Sequence, residues 1–391
     1  MRLLERQQAL DSVLAESRNF WHPQPFRDVR PDWCETHPAL LEALNALSDE
    51  EVVRLNDDGL AALDLIARYQ PDLADLAALA ALPERSRVPL LAHGPHWCRD
   101  IPGRKREQIE AFATTARQAS APVIDWCGGK GHLGRLLALQ WQTPVSTLEI
   151  DATLCAEGAQ LAARRNLPQE FVVADALTAT EWPCGGQHAV ALHACGNLHR
   201  RLISRGVAQG VVQFDVAPCC YHRGVDIVYQ PLSAGLSTVL TRDDTRLAVT
   251  ETVTASPRLA RQRDKEMAWK LGFDAYRREA SGLQAYKTFK PVPAAWFREG
   301  FETFLALMAG REGLPVIGAR SAADFERQGW QRQREVMRLS IVRHAFRRPM
   351  EIWLALDLAA FLEAHAYRVE LGVFCARHLT PRNLLISARR V

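Results

Sequence analysis

The first part of the chain carries apolar residues at helical spacing. In Ala39–Leu44 and Gly59–Ile66 they recur three and four positions apart, and Asp75–Leu82 is rich in Ala and Leu. This spacing places the apolar side chains on one face of a helix, which then packs against a neighbour. The pattern predicts an N-terminal helical domain over residues 1–115.

From about residue 120 the pattern changes to short apolar runs separated by helical segments. Strands are predicted at residues 122–126, 145–150, 170–174, 188–193 and 211–217. Strands and helices that alternate at this spacing are typical of a parallel, doubly wound sheet.

The end of the chain departs from that alternation. Residues 367–374 alternate apolar and polar side chains, 378–383 are typical of a turn, and 384–388 are a second strand-like run. Two strands joined by so short a link are expected to be antiparallel. The sequence therefore predicts an α/β domain over 116–391 whose seven-stranded, mostly parallel sheet ends in an antiparallel hairpin. A mostly helical insertion is predicted at about 225–345.

Segment 122–135 combines an apolar run, an acid and a glycine-rich turn. Asp125 stands near the end of the first predicted strand, and Gly129 and Gly131 follow in the turn before a helix. Glycine permits a tight turn and lets backbone N–H groups approach a ligand closely. Glu149 ends the next apolar run about 20 residues later, where Rossmann-like units place the acid that binds ribose hydroxyls.

Two cofactors fit such a turn. Gly129, Gly131 and Gly134 match the G-x-G-x-x-G spacing of dinucleotide-binding loops, although that motif alone is a weak signal. The carboxylate of Asp125 would repel a pyrophosphate, whereas S-adenosylmethionine (SAM) has no phosphate and carries an ammonium and a sulfonium. A P-loop is excluded because Lys130 is followed by glycine and not by Ser or Thr. SAM is the expected cofactor, and a dinucleotide is the alternative.

Composition narrows the class of protein further. The 391 residues are 48% hydrophobic and 24% charged, which is ordinary for a globular chain with room for two domains. A net charge of +3 permits an RNA partner but does not argue for one. Nine scattered cysteines indicate reduced thiols and a cytoplasmic location. No apolar run has the length of a membrane span, so no membrane association is expected.

The predicted cofactor site draws on the ends of the first three strands and on the fourth. Glu149 is expected to accept both ribose hydroxyls, with Asp151 as the fallback, and Asp175 to accept from the adenine amino group. For each acid the alternative is a helix cap or a surface carboxylate. The predicted cofactor-binding residues are Asp125, Cys127, Gly129, Lys130, Gly131, Glu149, Asp175 and His193.

The fourth and fifth predicted strands end in unusual clusters, at 192–197 and 217–222. Ligands of open α/β sheets bind at the carboxyl ends of strands, so both clusters fall on the functional edge. His193, Tyr221 and His222 are the candidate catalytic residues, with His222 as the candidate general base.

The cysteines of the second cluster allow three interpretations. Cys219 and Cys220 are most simply small residues that shape the pocket. Zinc binding is a weaker alternative, because no C-x-x-C pair occurs and adjacent cysteines strain a tetrahedral site; no metal is therefore expected. The third interpretation is a covalent nucleophile at Cys219, as pyrimidine C5 methylation requires.

Together these residues resemble a branch of the class I SAM-dependent methyltransferases. The branch carries the motifs D-x-G-x-G-K-G-H-L-S-R, H-x-C-G-D-L and C-C-Y-H, and a C-terminal S-P-R-N. In this chain they correspond to residues 125–135, 193–198, 219–222 and 380–383. The basic segment 104–106 and residues 349–357 also look like parts of this branch. The resemblance implies a Rossmann-like fold, SAM as cofactor and methyl transfer as the reaction.

Related motifs, with C-C-H-H in place of C-C-Y-H, occur in eukaryotic tRNA 2′-O-methyltransferases, and this relationship points to an RNA substrate. Three residues depart from the patterns. Cys127 replaces a glycine, so the loop must have a negative φ there or accept strain. Asn197 replaces an acid, and Tyr221 replaces the histidine of the tRNA enzymes.

The leading hypothesis is a SAM-dependent methyltransferase that acts on RNA, either tRNA or rRNA. Arg104, Lys105 and Arg382 are its candidate phosphate contacts, and the helical domain is expected to help hold the substrate. One alternative is a protein or small-molecule acceptor in a pocket closed by the aromatic segment around Trp21. The others are a non-catalytic interaction protein whose loop is spoiled by Cys127, and a dehydrogenase.

Overall fold

The computed structural model describes residues 2–92, 94–98, 101–118, 120–250, 257–315 and 319–391. By its internal contacts the chain divides into two compact units. Unit 1 comprises residues 1–16, 75–253 and 347–391, and unit 2 comprises 17–74 and 254–346.

Unit 1 contains the seven-stranded sheet. Its strands are β1 (Val123–Trp126), β2 (Val145–Glu149), β3 (Gln169–Val173), β4 (His188–Ala191), β5 (Gln213–Val216), β6 (Tyr367–Val373) and β7 (Leu384–Arg390). They lie in the order β3-β2-β1-β4-β5-β7-β6. The first five strands are parallel, and β7 is antiparallel to both β5 and β6. The predicted fold class, with its terminal hairpin, is confirmed.

The burial of the strands explains their sequences. All four residues of β1 are buried, as are those of β4 and β5. Strands β1 and β4 are apolar except for Asp125 and His188, whereas β5 alternates polar and apolar residues, and its Asp215 pairs with His188 at 2.8 Å. A parallel strand covered by helices on both faces favours an apolar run such as those of β1 and β4. Strand β6 lies at the edge and alternates buried and exposed residues in its first half.

Helices of unit 1 connect and cover these strands. They are α1 (Leu3–Glu16), α7 (Leu76–Ala80), α8 (Gly103–Thr115), α9 (His132–Trp141), α10 (Ala152–Ala163), α11 (Asn197–Gln209), α12 (Arg242–Leu247) and α16 (Arg347–Ala364), with a 3-10 turn at Pro95–Cys98. Helices α9, α10 and α11 follow the loops after β1, β2 and β4. Their N-termini therefore lie at the carboxyl edge of the sheet.

A buried carboxylate joins distant parts of unit 1. Asp11 on α1 accepts hydrogen bonds from the backbone N–H of Ser237 at 2.6 Å and of Thr238 at 3.1 Å, and from Trp353 Nε1 at 2.9 Å. Burial acts to raise the pKa of Asp11, but the bonds from Ser237 and Thr238 outweigh it and hold that pKa below its usual range. The charged form thus fastens the loop before α12 to α1 and α16.

The described part of unit 2 consists of helices joined by loops. Its helices are α2 (Arg18–Trp21), α3 (Trp33–Thr36), α4 (Pro38–Asn45), α5 (Asp49–Asp57), α6 (Gly59–Ala67), α13 (Pro257–Ser281), α14 (Phe301–Glu312) and α15 (Ala319–Ala345), with 3-10 turns at Pro71–Leu73 and Ala294–Phe297. The helical character predicted for the N-terminal segment and for the insertion is confirmed. Aromatic side chains such as Trp269, Phe273 and Phe304 form its core between α13, α14 and α15. Trp21 is fully buried.

The contact division falls at other residues than the expected domain boundary near 115. Residues 75–115 group with the sheet, and residues 17–74 group with the insertion. A role of the N-terminal helices in holding substrate stays a prediction. Within the described residues, no helix is both long and apolar enough to cross a membrane.

Candidate active site

The glycine-rich loop lies between β1 and α9. Cys127, Gly129 and Gly131 all have positive φ, at 57°, 61° and 61°. A Cβ on Gly131 would collide with Gln169 and would come within 2.7 Å of the Phe171 ring, whereas a Cβ on Gly129 would meet nothing within 4 Å. Gly131 is therefore required by packing beneath the loop, and Gly129 presents the open face on which a ligand can approach the backbone.

Asp125 lies beneath this loop. The residue is 2% exposed, and its Oδ2 accepts the backbone N–H of Gly134 at 3.0 Å. Burial raises the pKa of Asp125 to about 6, against the lowering effects of the Gly134 hydrogen bond and of Lys105. Asp125 therefore stabilises the glycine-rich loop from the protein interior. Its predicted effect on the cofactor would be electrostatic and would not require direct contact.

Cys127 occupies the left-handed conformation that its glycine relatives adopt without strain. The sequence left two alternatives for Cys127, a negative φ or backbone strain. The observed φ of 57° is the strained alternative. Burial, followed by the nearby charge of Glu149, raises the pKa of Cys127 to about 12. The thiol is therefore protonated at neutral pH and is a poor nucleophile.

Glu149 has a fixed carboxylate at the carboxyl end of β2. Its Oε2 accepts the N–H of Gly129 at 3.0 Å, and its Oε1 accepts those of Ile150 at 2.9 Å and Asp151 at 3.2 Å. Asp151, the fallback, instead caps α10 by accepting from Thr153 at 2.8 Å. Of the two acids, Glu149 is therefore the one whose side chain joins the glycine loop to the end of β2, which is the position expected for a ribose acceptor.

The predicted cofactor-binding residues Asp175 and Lys130 form interactions with nearby residues. Asp175 follows β3 and its Oδ1 accepts the N–H of Leu177 at 2.9 Å, which leaves its other oxygen outside that turn. Lys130 forms an ion pair with Glu157 on α10, and both side chains are half exposed. Sequence reasoning missed Gln169, whose Nε2 donates to the Gly131 carbonyl and to Thr147, each at 2.9 Å. As the first residue of a strand, it carries no motif that would have indicated this role.

The predicted catalytic residues lie in the loops that follow β4 and β5. His193 has an exposed surface, yet partial burial of its ring, followed by the positive charge of Lys105, lowers its pKa. His222 is half buried and its pKa is lowered, chiefly by burial. Tyr221 is 1% exposed and packs edge-on against His199 with ring centroids 5.7 Å apart. The two histidines are more exposed than Tyr221, whose interior position favours a structural role.

His199 is a further residue that sequence reasoning missed. It is 1% exposed, and its Nδ1 hydrogen-bonds the Ala194 carbonyl at 2.9 Å. Burial lowers its pKa to about 4, so the ring is neutral and acts as the donor in that bond. His199 thereby fixes the turn after β4, and nothing in its spacing distinguished it from a surface histidine of α11.

The hydrogen bonds of Asn197 account for an amide at a position where the motif has an acid. Its Nδ2 donates to the Gly224 carbonyl at 2.8 Å, and its backbone N–H donates to the Arg223 carbonyl at 3.1 Å. A carboxylate could not donate the first of these bonds. The amide therefore ties the loop after β4 to the loop after β5.

The strand order, the glycine loop and the acid at the end of β2 define a class I SAM-dependent methyltransferase domain. Residues 104–224 match a family model described as a methyltransferase domain. The chain therefore carries a methyltransferase domain of the SAM-dependent class, and SAM is the cofactor of that class. The open face of Gly129 and the fixed carboxylate of Glu149 fit a nucleoside with two ribose hydroxyls.

Among curated proteins, the chain is similar to a glutathione S-transferase C-terminal domain-containing protein homolog of Drosophila pseudoobscura pseudoobscura. The two are 29% identical over an alignment of 153 residues, which covers 36% of this chain and 25% of that protein. The chain thus spans about a quarter of the length of this curated relative.

Solved structures with partial similarity include three methyltransferases. Magnesium protoporphyrin IX methyltransferase (ChlM) from Synechocystis PCC 6803, with bound SAH, is 9% identical, with 77% of this chain and 90% of that chain covered and a TM-score of 0.32. Geranyl diphosphate C-methyltransferase from Streptomyces coelicolor A3(2) is 14% identical, with 37% and 58% covered and a TM-score of 0.26. An rRNA methylase from Streptococcus thermophilus is 12% identical, with 36% and 94% covered and a TM-score of 0.24.

Proposed function

We propose that the protein transfers a methyl group from SAM to an RNA acceptor, either tRNA or rRNA. The observation that carries the methyl-transfer part is the pairing of Glu149 with the loop. A half-buried carboxylate, fixed by three backbone N–H groups, lies beside the open face of Gly129. This arrangement supports binding of a ribose at the carboxyl edge of the sheet.

Methyl transfer from SAM requires the protein mainly to position the two reactants. SAM, when bound, supplies a methyl group on a sulfonium that is already a good leaving group. The protein must hold the acceptor atom close to that methyl group and in line with it. The loops after β4 and β5 are tied together by Asn197 and braced by His199, so they offer a fixed wall for the acceptor.

Two features support RNA as the acceptor. The motifs resemble those of eukaryotic tRNA 2′-O-methyltransferases. Lys105 is exposed, and its charge affects the pKa of both Asp125 and His193, so an exposed cation lies near the cofactor edge. Arg104 and Arg382 are less available, because Arg104 Nε donates to the Leu379 carbonyl at 2.8 Å and Arg382 donates to the Val249 carbonyl. Lys105 is therefore the stronger candidate phosphate contact.

Calorimetric titration tests the cofactor half of the proposal. Wild type and Glu149→Ala are titrated with SAM, S-adenosylhomocysteine and, as a control, NAD. Micromolar binding of the first two, lost in Glu149→Ala and kept in the capping variant Asp151→Asn, is expected. Binding of NAD alone, or equal loss in both variants, would contradict it.

A tritiated-methyl assay on separated RNA and protein fractions tests the acceptor. Label is expected in RNA, with a rate that falls with rising salt and in Lys105→Ala. Arg164→Ala is the matched control, since this exposed arginine ends α10 at the opposite edge of the sheet. Label confined to protein or small molecules would exclude RNA while leaving the methyltransferase assignment intact.

A further inference from the structure

Three cysteines converge at the carboxyl edge of the sheet. Cys195 follows β4, and Cys219 and Cys220 follow β5, its parallel neighbour. A bridge between Cys195 and Cys219 continues the pairing of the two strands. Their Sγ atoms are 3.4 Å apart, and the Sγ atoms of all three cysteines lie within 4.8 Å of one another.

The backbone of Cys220 makes this convergence possible. Adjacent residues of an extended strand point to opposite faces, so Cys219 and Cys220 would normally be separated. Cys220 has a φ of 46°, a conformation that L-residues seldom adopt and that turns the chain sharply at this point. Strain of this kind persists where the surroundings enforce it, and it is concentrated at functional sites.

The scaffold around the three thiols is rigid. Gly196 donates its N–H to the Cys219 carbonyl at 3.0 Å, and Asn197 bonds both Arg223 and Gly224. A Cβ on Gly196, whose φ is 56°, would collide with the Arg223 carbonyl, so the two loops are in close backbone contact. The thiols therefore hold their mutual distances without a ligand, as preorganised metal sites require.

We propose that Cys195, Cys219 and Cys220 together bind one Zn²⁺ ion. Thiolates bind zinc at about 2.3 Å, which puts the sulfurs of a tetrahedral site about 3.8 Å apart. The observed separations need only small side-chain rotations to reach that value. Binding releases the three thiol protons to solvent and leaves three thiolates and one dication, with the side chain of Arg223 in the same loop to balance the net negative charge.

The fourth coordination position belongs to water. Among the described residues, no further cysteine, histidine or carboxylate atom joins the three sulfurs within the same distance. Sites with three protein ligands and one water are typical of catalytic zinc, whereas structural zinc sites are closed by four. The sequence made zinc only a weaker alternative, with no metal expected, because Cys195 lies 24 residues before Cys219, outside any C-x-x-C spacing.

Metal analysis of the reduced, full-length protein tests the site with Zn²⁺ alone. We expect one zinc equivalent per chain in competition with a chromophoric chelator. With Co²⁺ in its place, we expect sulfur-to-metal charge-transfer absorption. Cys195→Ser and Cys220→Ser are expected to weaken zinc binding by about 100-fold or more. Cys184→Ser, which removes an exposed cysteine outside the cluster, is expected to change nothing.

A second measurement uses the wild-type protein, so its result does not depend on whether the cysteine variants fold. Zinc is expected to slow alkylation of Cys195 and Cys220, measured by peptide mass spectrometry, and to leave Cys184 unprotected. Folded, reduced protein that retains no zinc would overturn the proposal. So would a chain that binds zinc equally well without these cysteines, or one whose Cys195 and Cys219 form a disulfide and bind no zinc after reduction.

Discussion

Two glycines of the glycine-rich loop between β1 and α9 share one backbone conformation and differ in the space around them. Gly129 and Gly131 both have a φ of 61°. Replacing either by Ala costs about 1–2 kcal/mol for the left-handed conformation, offset by about 0.4–1 kcal/mol from a less flexible unfolded chain. The backbone cost is thus common to both variants, and the pair isolates the effect of packing.

Only Gly131→Ala has a further cost. Its methyl group would displace Gln169, which donates two hydrogen bonds of 2.9 Å, and would press on the Phe171 ring. The loss of two hydrogen bonds costs about 1 kcal/mol each, and overpacking would cost about 1–3 kcal/mol. Either effect makes the free energy of unfolding of Gly131→Ala about 2 kcal/mol lower than that of Gly129→Ala.

Urea denaturation followed by circular dichroism measures the difference. The transition of the sheet unit is the one that S-adenosylhomocysteine moves to higher urea. We expect a loss of about 1 kcal/mol for Gly129→Ala and about 3 kcal/mol for Gly131→Ala. Calorimetry is expected to show the reverse order for the cofactor, with about tenfold weaker binding by Gly129→Ala because its methyl group projects from the open face of the loop.

Equal losses of stability would refute the packing argument. Unchanged cofactor affinity of Gly129→Ala would show that the cofactor does not approach the loop from that side.

Three further predictions concern single side chains. Asp125 has a pKa of about 6 in the fold against 3.8 for a solvated aspartate, so the folded chain binds its proton more tightly, and stability is lost as pH rises from about 4 to 6. Asp125→Asn should remove this loss, about 3 kcal/mol, from the pH profile of the free energy of unfolding; parallel profiles would contradict it. Asp11 has a lowered pKa, so its stabilisation is present at neutral pH and lost on acidification. Asp11→Asn should cost about 3 kcal/mol at pH 7 and less in acid, and a loss independent of pH would count against the charged hydrogen bonds. Cys127→Gly should keep stability within about 1 kcal/mol of wild type, whereas Cys127→Val should lose about 1–3 kcal/mol, as measured by urea denaturation; the opposite order would disprove strain at this position.

The sheet could be predicted from the sequence because its signals are local. Buried parallel strands such as β1 and β4 are short apolar runs bounded by turns, and the hairpin shows itself by a short link. The predicted strand limits agree with the observed ones to within three residues. The division into units could not be predicted, because it depends on contacts between segments far apart in the chain.

Within the candidate site, residue type could be predicted better than geometry. The choice between Glu149 and Asp151 required the backbone, which shows the second acid to be a helix cap. Tyr221 lies inward because its strand end turns at Cys220, and a motif does not show the direction of a side chain. The partnership of Cys195 with Cys219 arises from strand pairing, which spacing along the chain does not reveal.

The segmented layout of the two units has a consequence for synthesis on the ribosome. The chain passes between the units four times, and unit 2 has its last residue at 346. Strand β7 lies between β5 and β6, so the sheet cannot close before residues 384–390 have left the ribosome. Unit 2 can therefore complete its helices while the nascent sheet still has an open edge at β5. That edge is the place where a chaperone or a premature pairing partner would meet the unfinished protein.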